Sequence, residues 1–282
     1  MPTYQEALSI NEQYALDNDK EPTAVRILLM NFSGLSGAEL LARMQDMMQA
    51  DMYQRFRNAV DAYVIEHKPT QHITECEHFY GYRFGVNENV LIPRFETEEL
   101  IGYLLDYKAE LFGDTPVRVA DIGTGSGCLA ITLALEDENI EAHATDISEP
   151  ALKVARQNSE NLGANVTFHA GDMLAPLQGQ GTFDILVSNP PYIPNHEHVE
   201  ALVKNHEPHI ALFGGEDGLD YYRAILRQAE SIMNGRYIIA FEHAYDKAKE
   251  IRKLCKKYLK NTRIIQKKDM QGKDRMTFVL RP

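Results

Sequence analysis

From residue 117 onward, apolar β-type runs alternate with amphipathic helical runs, and this alternation constrains the fold more than any other feature of the chain. "VRVADIG", "EAHATDI", "NVTFHAGD", "FDILVSN" and "RYIIAFE" read as strands. "GCLAITLALE", "EPALKVARQNSENLG", "GLDYYRAILRQAESIMNG" and "AYDKAKEIRKLCKKYL" read as helices, with Pro150 in the first turn of the second. Such alternation builds a parallel sheet with helices on both faces. The closing runs, "TRIIQKK" and "RMTFVLRP", have no helix between them, so they are expected to pair antiparallel. The predicted class is α/β, a doubly wound, seven-stranded Rossmann-like sheet with an antiparallel last strand.

The first third has a helical period instead. Val25, Leu28, Leu29 and Phe32 share one face, as do Leu40, Leu41, Met44 and Met48 in "AELLARMQDMM". Tyr53, Phe56, Val60, Tyr63 and Val64 form a third stripe. Ser36 with Glu39 three residues on predicts a capping box. These stripes are core rather than cofactor contacts, and they predict a small helical bundle over residues 1–72. "HFYGYRFGVNENVLI" is rich in β-formers, with a turn expected at Asn87-Glu88-Asn89. It predicts a hairpin linker over residues 73–93, and the remaining domain runs over 94–282, opening on the helix "PRFETEELIGYLLDYKAELF" that Gly113 ends.

Composition narrows the function classes. No run of the 282 residues approaches the ~20 apolar residues of a membrane span. The start "MPTYQEALSINEQ" lacks the pattern of a secretory signal. Cys76, Cys128 and Cys255 fit no metal spacing, so reduced thiols, no metal and a cytoplasmic location are expected. Net charge is −12, which argues against tight binding of nucleic acid. Residues 245–282 nevertheless carry 13 Lys and Arg against 4 Asp and Glu, either a solvated face or a landing site for an acidic partner. Nothing demands an oligomer, and a monomer is expected.

Two motifs carry chemistry. "ADIGTGSGCLA" lies where the first strand of the alternating region turns into a helix. Gly123, Gly125 and Gly127 let a ligand approach the backbone, with Thr124 and Ser126 between them. A dinucleotide fingerprint needs Gly where this chain has Cys128. The pattern Asp-x-Gly-x-Gly-x-Gly, starting at Asp121, resembles the cofactor loop of S-adenosylmethionine-dependent methyltransferases. Asp146 ends the second strand, where a carboxylate can accept both ribose hydroxyls; Asp172 and Met173 end the third, suited to adenine. This acidity suits a cationic sulfonium better than phosphates.

The second motif, Asn189-Pro190-Pro191-Tyr192, ends the fourth strand. An amide nitrogen is a poor nucleophile and must be held with its lone pair aimed at the methyl donor. The Asn189 side-chain oxygen and the Pro190 carbonyl can accept its two hydrogens. The prolines stiffen the loop, and Tyr192 can lay its ring on a planar group.

Asn-Pro-Pro-Tyr resembles methyltransferases acting on planar nitrogens, both adenine-N6 nucleic-acid enzymes and glutamine-N5 protein enzymes. "VLIPRFETEELI", "TDISEPALKVARQN" and "HEPHIALFGGEDGLDYYRAIL" added to the two motifs resemble the release-factor glutamine methyltransferases, the HemK family. The resemblance runs from about residue 70 to the end. It implies methylation of the Gln of the Gly-Gly-Gln motif in class 1 peptide chain release factors, with S-adenosylmethionine consumed and S-adenosylhomocysteine released. It implies that Gly123 to Gly127, Asp146, Asp172, Met173 and Asn189 hold the cofactor. Asn189, Pro190, Pro191 and Tyr192 would hold the glutamine, with Leu91, Glu96 and Thr97 at the pocket mouth. The helical domain would help hold the release factor. The chain departs from the family pattern at Phe95, at His72-Ile73-Thr74-Glu75 and at His243-Ala244 after Glu242. The alternatives are a nucleic-acid adenine-N6 methyltransferase and a non-catalytic binding protein that keeps the sheet as scaffold.

Overall fold

The computed structural model describes residues 1–197 and 205–282, which divide into two units, one built on Met1–Cys76 and one on residues 77–197 and 207–282.

The first unit is helical: α1 (Tyr4–Leu16), α2 (Thr23–Ser33), α3 (Gly37–Ala42), α4 (Ala50–Val64) and α5 (Thr70–Thr74). Val25, Leu28, Leu29, Phe56 and Val60 are fully buried at its centre, as their spacing predicts. Both Ser36 with Glu39 and Thr3 with Glu6 form capping boxes. The second apolar stripe does not continue as helix to Met48. The backbone there pairs with the N-terminus instead: Tyr4 and Gln5 donate to the carbonyls of Asp46 and Met44, and Met48 donates to Pro2. Leu41 is accordingly exposed, whereas Met48 is buried.

Strands β1 (Cys76–Phe79) and β2 (Tyr82–Gly85) form a two-stranded sheet. Its turn is Tyr80-Gly81, both at positive φ as a two-residue hairpin turn with right-handed strand twist requires. Asn87-Glu88-Asn89 makes a separate turn beyond the hairpin, where the Asn87 side chain accepts from the Asn89 amide.

The second unit continues with α6 (Phe95–Phe112), β3 (Val117–Ile122), α7 (Cys128–Glu136), β4 (Ile140–Asp146), α8 (Glu149–Leu162), β5 (Val166–Ala170) and β6 (Phe183–Ser188). It closes with α9 (Asp220–Gln228), β7 (Met233–Glu242), α10 (Ala248–Tyr258), β8 (Arg263–Lys268) and β9 (Asp274–Arg281). The seven strands from β3 onward form one sheet in the order β5-β4-β3-β6-β7-β9-β8, with β9 antiparallel to both neighbours and the other pairings parallel. The architecture is the one predicted. Val119, Val187 and Ile238 pack with Leu100, Leu104 and Ile131 of α6 and α7 on one face. Ile122, Leu186 and Ile239 pack with Tyr222, Ile225 and Ile251 of α9 and α10 on the other. The predicted helix through Gly235 ends at Gln228. Met233 is taken into β7 by its pairing with Phe183, whose amide donates to the Ile232 carbonyl.

Strand order reverses between β3 and β6, and parallel α/β sheets open a crevice beyond the strand ends at such a point. The register sets who meets there. Ile122 pairs with Thr145, and Ser188 with Phe241. The next residues along, Gly123 and Asp146 on one side and Asn189 and Glu242 on the other, therefore emerge together.

Candidate functional site

A crevice of about 1100 Å³, counted with the part that opens to solvent, lies beyond the ends of β3, β4, β5 and β6. That volume accommodates a nucleoside-sized ligand with a side chain beside it. Gly123, Thr124, Gly125 and Ser126 form one wall, and Asp146, Asp172 and Met173 another. Asn189, Pro190 and Pro191 line it from β6, and Leu91 and Thr97 from the segment that enters α6. Gly127, Glu96 and Tyr192 do not line it.

The glycine loop is held from behind. Gly123 and Thr124 donate to the Thr145 carbonyl, each at 2.9 Å, and Gly125 donates to Asp146 Oδ2 at 2.9 Å. Gly123 and Gly125 have positive φ, and a Cβ there would meet nothing within 4 Å. Gly127, also at positive φ, serves packing: its Cβ would lie 2.7 Å from the Ile131 side chain and 3.2 Å from Ala155. Asn158 on α8, 2 % exposed, donates to the Ser126 carbonyl at 2.8 Å and exchanges hydrogen bonds with Gly85 of β2. No motif marks this clamp in the sequence; an Asn on the buried stripe of a helix is its one signal.

Two carboxylates face opposite demands. Asp146 accepts from the amides of Gly125 and Ser148 through different oxygens, which fixes its plane. Partial burial pushes its carboxyl up, while those amides hold it back. Asp121 lies beneath the loop and is fully buried. Its Oδ2 accepts from the Thr124 hydroxyl at 2.6 Å and the Ala130 amide at 3.3 Å, while Oδ1 has no partner. Burial pushes Asp121 up to about 7. An orphaned buried carboxylate oxygen suits an incoming cation. Arg94, the sole Lys or Arg lining the crevice among the described residues, is neutralised by Glu207 at 2.5 Å.

The raised pKa of Asp121 predicts a pH dependence. Its folded-state value lies above the usual Asp value of 3.8, so the folded protein holds a proton that the unfolded chain releases first. The stabilisation is complete below about pH 4 and fades as pH rises toward about 7. Asp121→Asn should flatten this decline in the ligand-free protein by on the order of 2–4 kcal/mol. Thermal unfolding measured between pH 4 and 8 checks it; an unchanged slope would show that Asp121 does not titrate there.

At the other end of the crevice, Ser188 donates to the Ile122 carbonyl at 2.6 Å, tying β6 to β3. Asn189 Nδ2 donates to Thr97 Oγ1 at 3.2 Å, and Thr97 Oγ1 donates to Glu242 Oε2 at 2.6 Å. Thr97 is 2 % exposed. It lines the crevice beside Asn189 and is buried there. Tyr192 packs against the apolar cluster that includes Tyr222 of α9 and borders a second hollow with Arg275 and Lys247, and burial pushes its phenol up to about 12. Burial likewise pushes the Cys128 thiol up to about 12, which makes it a poor nucleophile at neutral pH.

Sequence reasoning misses Glu207 and gives Glu242 no task. Glu207 is 5 % exposed; it accepts from the Ile92 amide and pairs with Arg94, so it fixes the segment that carries Leu91 and Thr97. A Glu between His206 and Pro208 gives no local sign of burial. No group of three or more His, Cys, Asp or Glu suited to a metal exists among the described residues.

Comparison with known proteins adds to this geometry. The methyltransferase small domain family matches residues 108–210, and the PrmC N-terminal domain family matches residues 10–74. The release factor glutamine methyltransferase of Bacillus cereus (strain ATCC 14579) is 39 % identical over 97 % of this chain and 97 % of its own. That of Bacillus subtilis (strain 168) is 39 % identical over 98 % and 96 %. The crystal structure of a methyltransferase from Pyrococcus furiosus is similar in fold, with a TM-score of 0.51 and 20 % identity over 82 % of this chain and 98 % of that one.

Proposed function

The chain belongs to the release factor glutamine methyltransferases, and from that premise we propose that it methylates the side-chain amide nitrogen, N5, of the Gln in the Gly-Gly-Gln motif of class 1 peptide chain release factors. The observation that carries the reading is Asn189. It closes a central strand, its NH₂ is engaged from behind by Thr97, and it lines the same crevice as the glycine loop and Asp146. An amide so held has its oxygen as the end left to accept from a substrate NH₂.

The residues fit S-adenosylmethionine. Asp146 would take the ribose hydroxyls, Met173 and Asp172 would lie along the adenine, and the Gly123–Gly127 loop would take the methionine end, above the unpartnered oxygen of Asp121. When bound, the cofactor supplies an electrophilic methyl group on a sulfonium. The chain supplies orientation. Asn189 Oδ1 and the Pro190 carbonyl accept the two hydrogens of the substrate amide, which holds its nitrogen in place and enriches it in electron density. Pro190 and Pro191 keep that loop from relaxing. No general base is required before transfer, because the proton can pass to solvent once the nitrogen has been alkylated.

We read the helical residues 1–72 as the part that holds the body of the release factor, residues 73–93 as the link, and residues 94–282 as the catalytic part. The cytoplasm, where release factors act, is the place this reading implies. No helix among the described residues is long and apolar enough to cross a membrane.

Incubation of an unmethylated release factor with the protein and S-adenosylmethionine, followed by mass spectrometry, tests the proposal. One added methyl on the Gln of Gly-Gly-Gln is expected. No added methyl on the release factor, with methyl incorporated into DNA instead, would overturn it in favour of an adenine-N6 enzyme.

A further inference from the structure

Behind the substrate-facing side of Asn189 lies a buried polar chain that the reaction itself does not use. Asn189 Nδ2 donates to Thr97 Oγ1 at 3.2 Å, and Thr97 Oγ1 donates to Glu242 Oε2 at 2.6 Å. Thr97 and Glu242 are each 2 % exposed, so solvent does not compete for these bonds. A hydroxyl has one proton. While Thr97 gives its proton to Glu242, it can only accept from Asn189, and so it must face the NH₂ end of the amide. An Asn side chain has no shape preference between its two ends; the surrounding hydrogen bonds decide.

We infer that Thr97 and Glu242 are positioning residues: as acceptor at the end of the chain, the Glu242 carboxylate fixes which end of the Asn189 amide faces the substrate. This rests on the proposed function and deepens it. With Glu242 ionised, the Asn189 oxygen is turned toward the crevice and can accept from the substrate NH₂. With Glu242 protonated, the chain can run in reverse: Glu242 donates to Thr97, Thr97 donates to the Asn189 oxygen, and the NH₂ group is presented instead. Two NH₂ groups facing each other cannot pair, so the substrate amide keeps the Pro190 carbonyl and loses the Asn189 acceptor.

The environment of Glu242 puts this switch within reach of ordinary pH. Burial pushes its carboxyl up to about 7, against the Thr97 hydrogen bond, which holds it back together with the nearby Asn189 amide. Arg275 from β9 favours the ionised form and Glu96 from α6 opposes it. Tyr222 from α9 donates to the Glu242 main-chain carbonyl at 2.7 Å. Tyr192 and Cys128 also feel the Glu242 charge and are both pushed up to about 12, and the buried Tyr222 phenol is pushed up as well, so all three stay neutral across this range.

Methyl transfer to an unmethylated release factor, measured as kcat and KM from pH 6 to 8.5, tests the inference in the wild type and in Thr97→Val, Thr97→Ser and Glu242→Gln. The wild-type kcat should rise through about pH 7. Thr97→Val should lower kcat by about 10–100-fold with cofactor Kd changed by no more than about twofold, the scale of a misplaced reacting group. Thr97→Ser, which restores the hydroxyl, should recover most of the loss. Glu242→Gln should lower kcat and abolish the rise with pH. A Thr97→Val kcat within about twofold of wild type, a Thr97→Ser variant as slow as Thr97→Val, or a pH rise retained in Glu242→Gln would each overturn the inference.

A second readout needs no release factor. The ¹⁵N side-chain signals of Asn189 should shift with an inflection near pH 7 that Glu242→Gln removes and Asp121→Asn leaves in place. An inflection that persists in Glu242→Gln, or none in the wild type, would overturn the positioning role. If the wild type methylates no release factor while this inflection is present, the substrate assignment fails and the positioning role stands.

Discussion

Asn189→Ala is expected to lower kcat for methyl transfer by about 10²–10³-fold, the usual loss when one preorganised polar contact to a reacting group is removed. The effect should fall on kcat rather than on cofactor affinity. Asn189 closes β6, whose neighbour Ser188 still ties to the Ile122 carbonyl at 2.6 Å, so the strand end keeps its place without the amide. The glycine loop and Asp146 are held by bonds to Thr145, Gly125 and Ser148 in which Asn189 takes no part. Single-turnover kinetics with saturating cofactor, alongside calorimetric cofactor binding, separates the two. Undiminished turnover in a folded variant would remove Asn189 from the chemistry and leave Pro190 as the sole candidate acceptor.

The second large effect is expected from Asp146→Ala, which should weaken S-adenosylmethionine binding by about 100-fold or more. Two charge-assisted hydrogen bonds to ribose hydroxyls, the contacts proposed for Asp146, would account for about 3 kcal/mol, which is roughly a factor of 100 in Kd. The loss extends further because Asp146 also anchors the Gly125 amide at 2.9 Å. Removing the carboxylate leaves that part of the glycine loop without its partner. Asp146→Asn keeps one carbonyl acceptor and should lie between the two. Isothermal titration calorimetry gives the comparison, and an unaltered Kd in Asp146→Ala would refute the ribose assignment.

Both residues are legible in the sequence because each belongs to a local pattern. Asp146 ends an apolar run, and Asn189 stands before two prolines at the end of another. In a parallel sheet, such strand ends all open on one edge. The glycine loop is legible for the same reason, since its pattern concerns consecutive residues whose φ values must be positive. For Thr97 the sequence marks the residue but not its place. The family resemblance places Thr97 at the pocket mouth, and only the packing of α6 against the sheet shows that it is buried against Asn189 and Glu242. Tyr192 adjoins Asn189 along the chain and reads as its companion in the pocket; in the fold it packs with the apolar cluster that holds Tyr222 and Phe241 and is absent from the crevice lining.

The run of apolar strands and amphipathic helices determined the layered sheet, its antiparallel close and the edge on which a ligand would bind, because hydrophobic periodicity is a property of neighbours in the chain. The tertiary structure alone decided what stands behind the reacting groups. Glu242 meets Thr97 across 145 residues, and Thr97 meets Asn189 across 92. Their meeting depends on the register that pairs Ser188 with Phe241 and on where α6 packs. A one-residue slip in that register would turn Glu242 to the opposite face of the sheet. Hydrogen bonds between buried groups so far apart in the chain follow from the assembled core, and no local pattern records them.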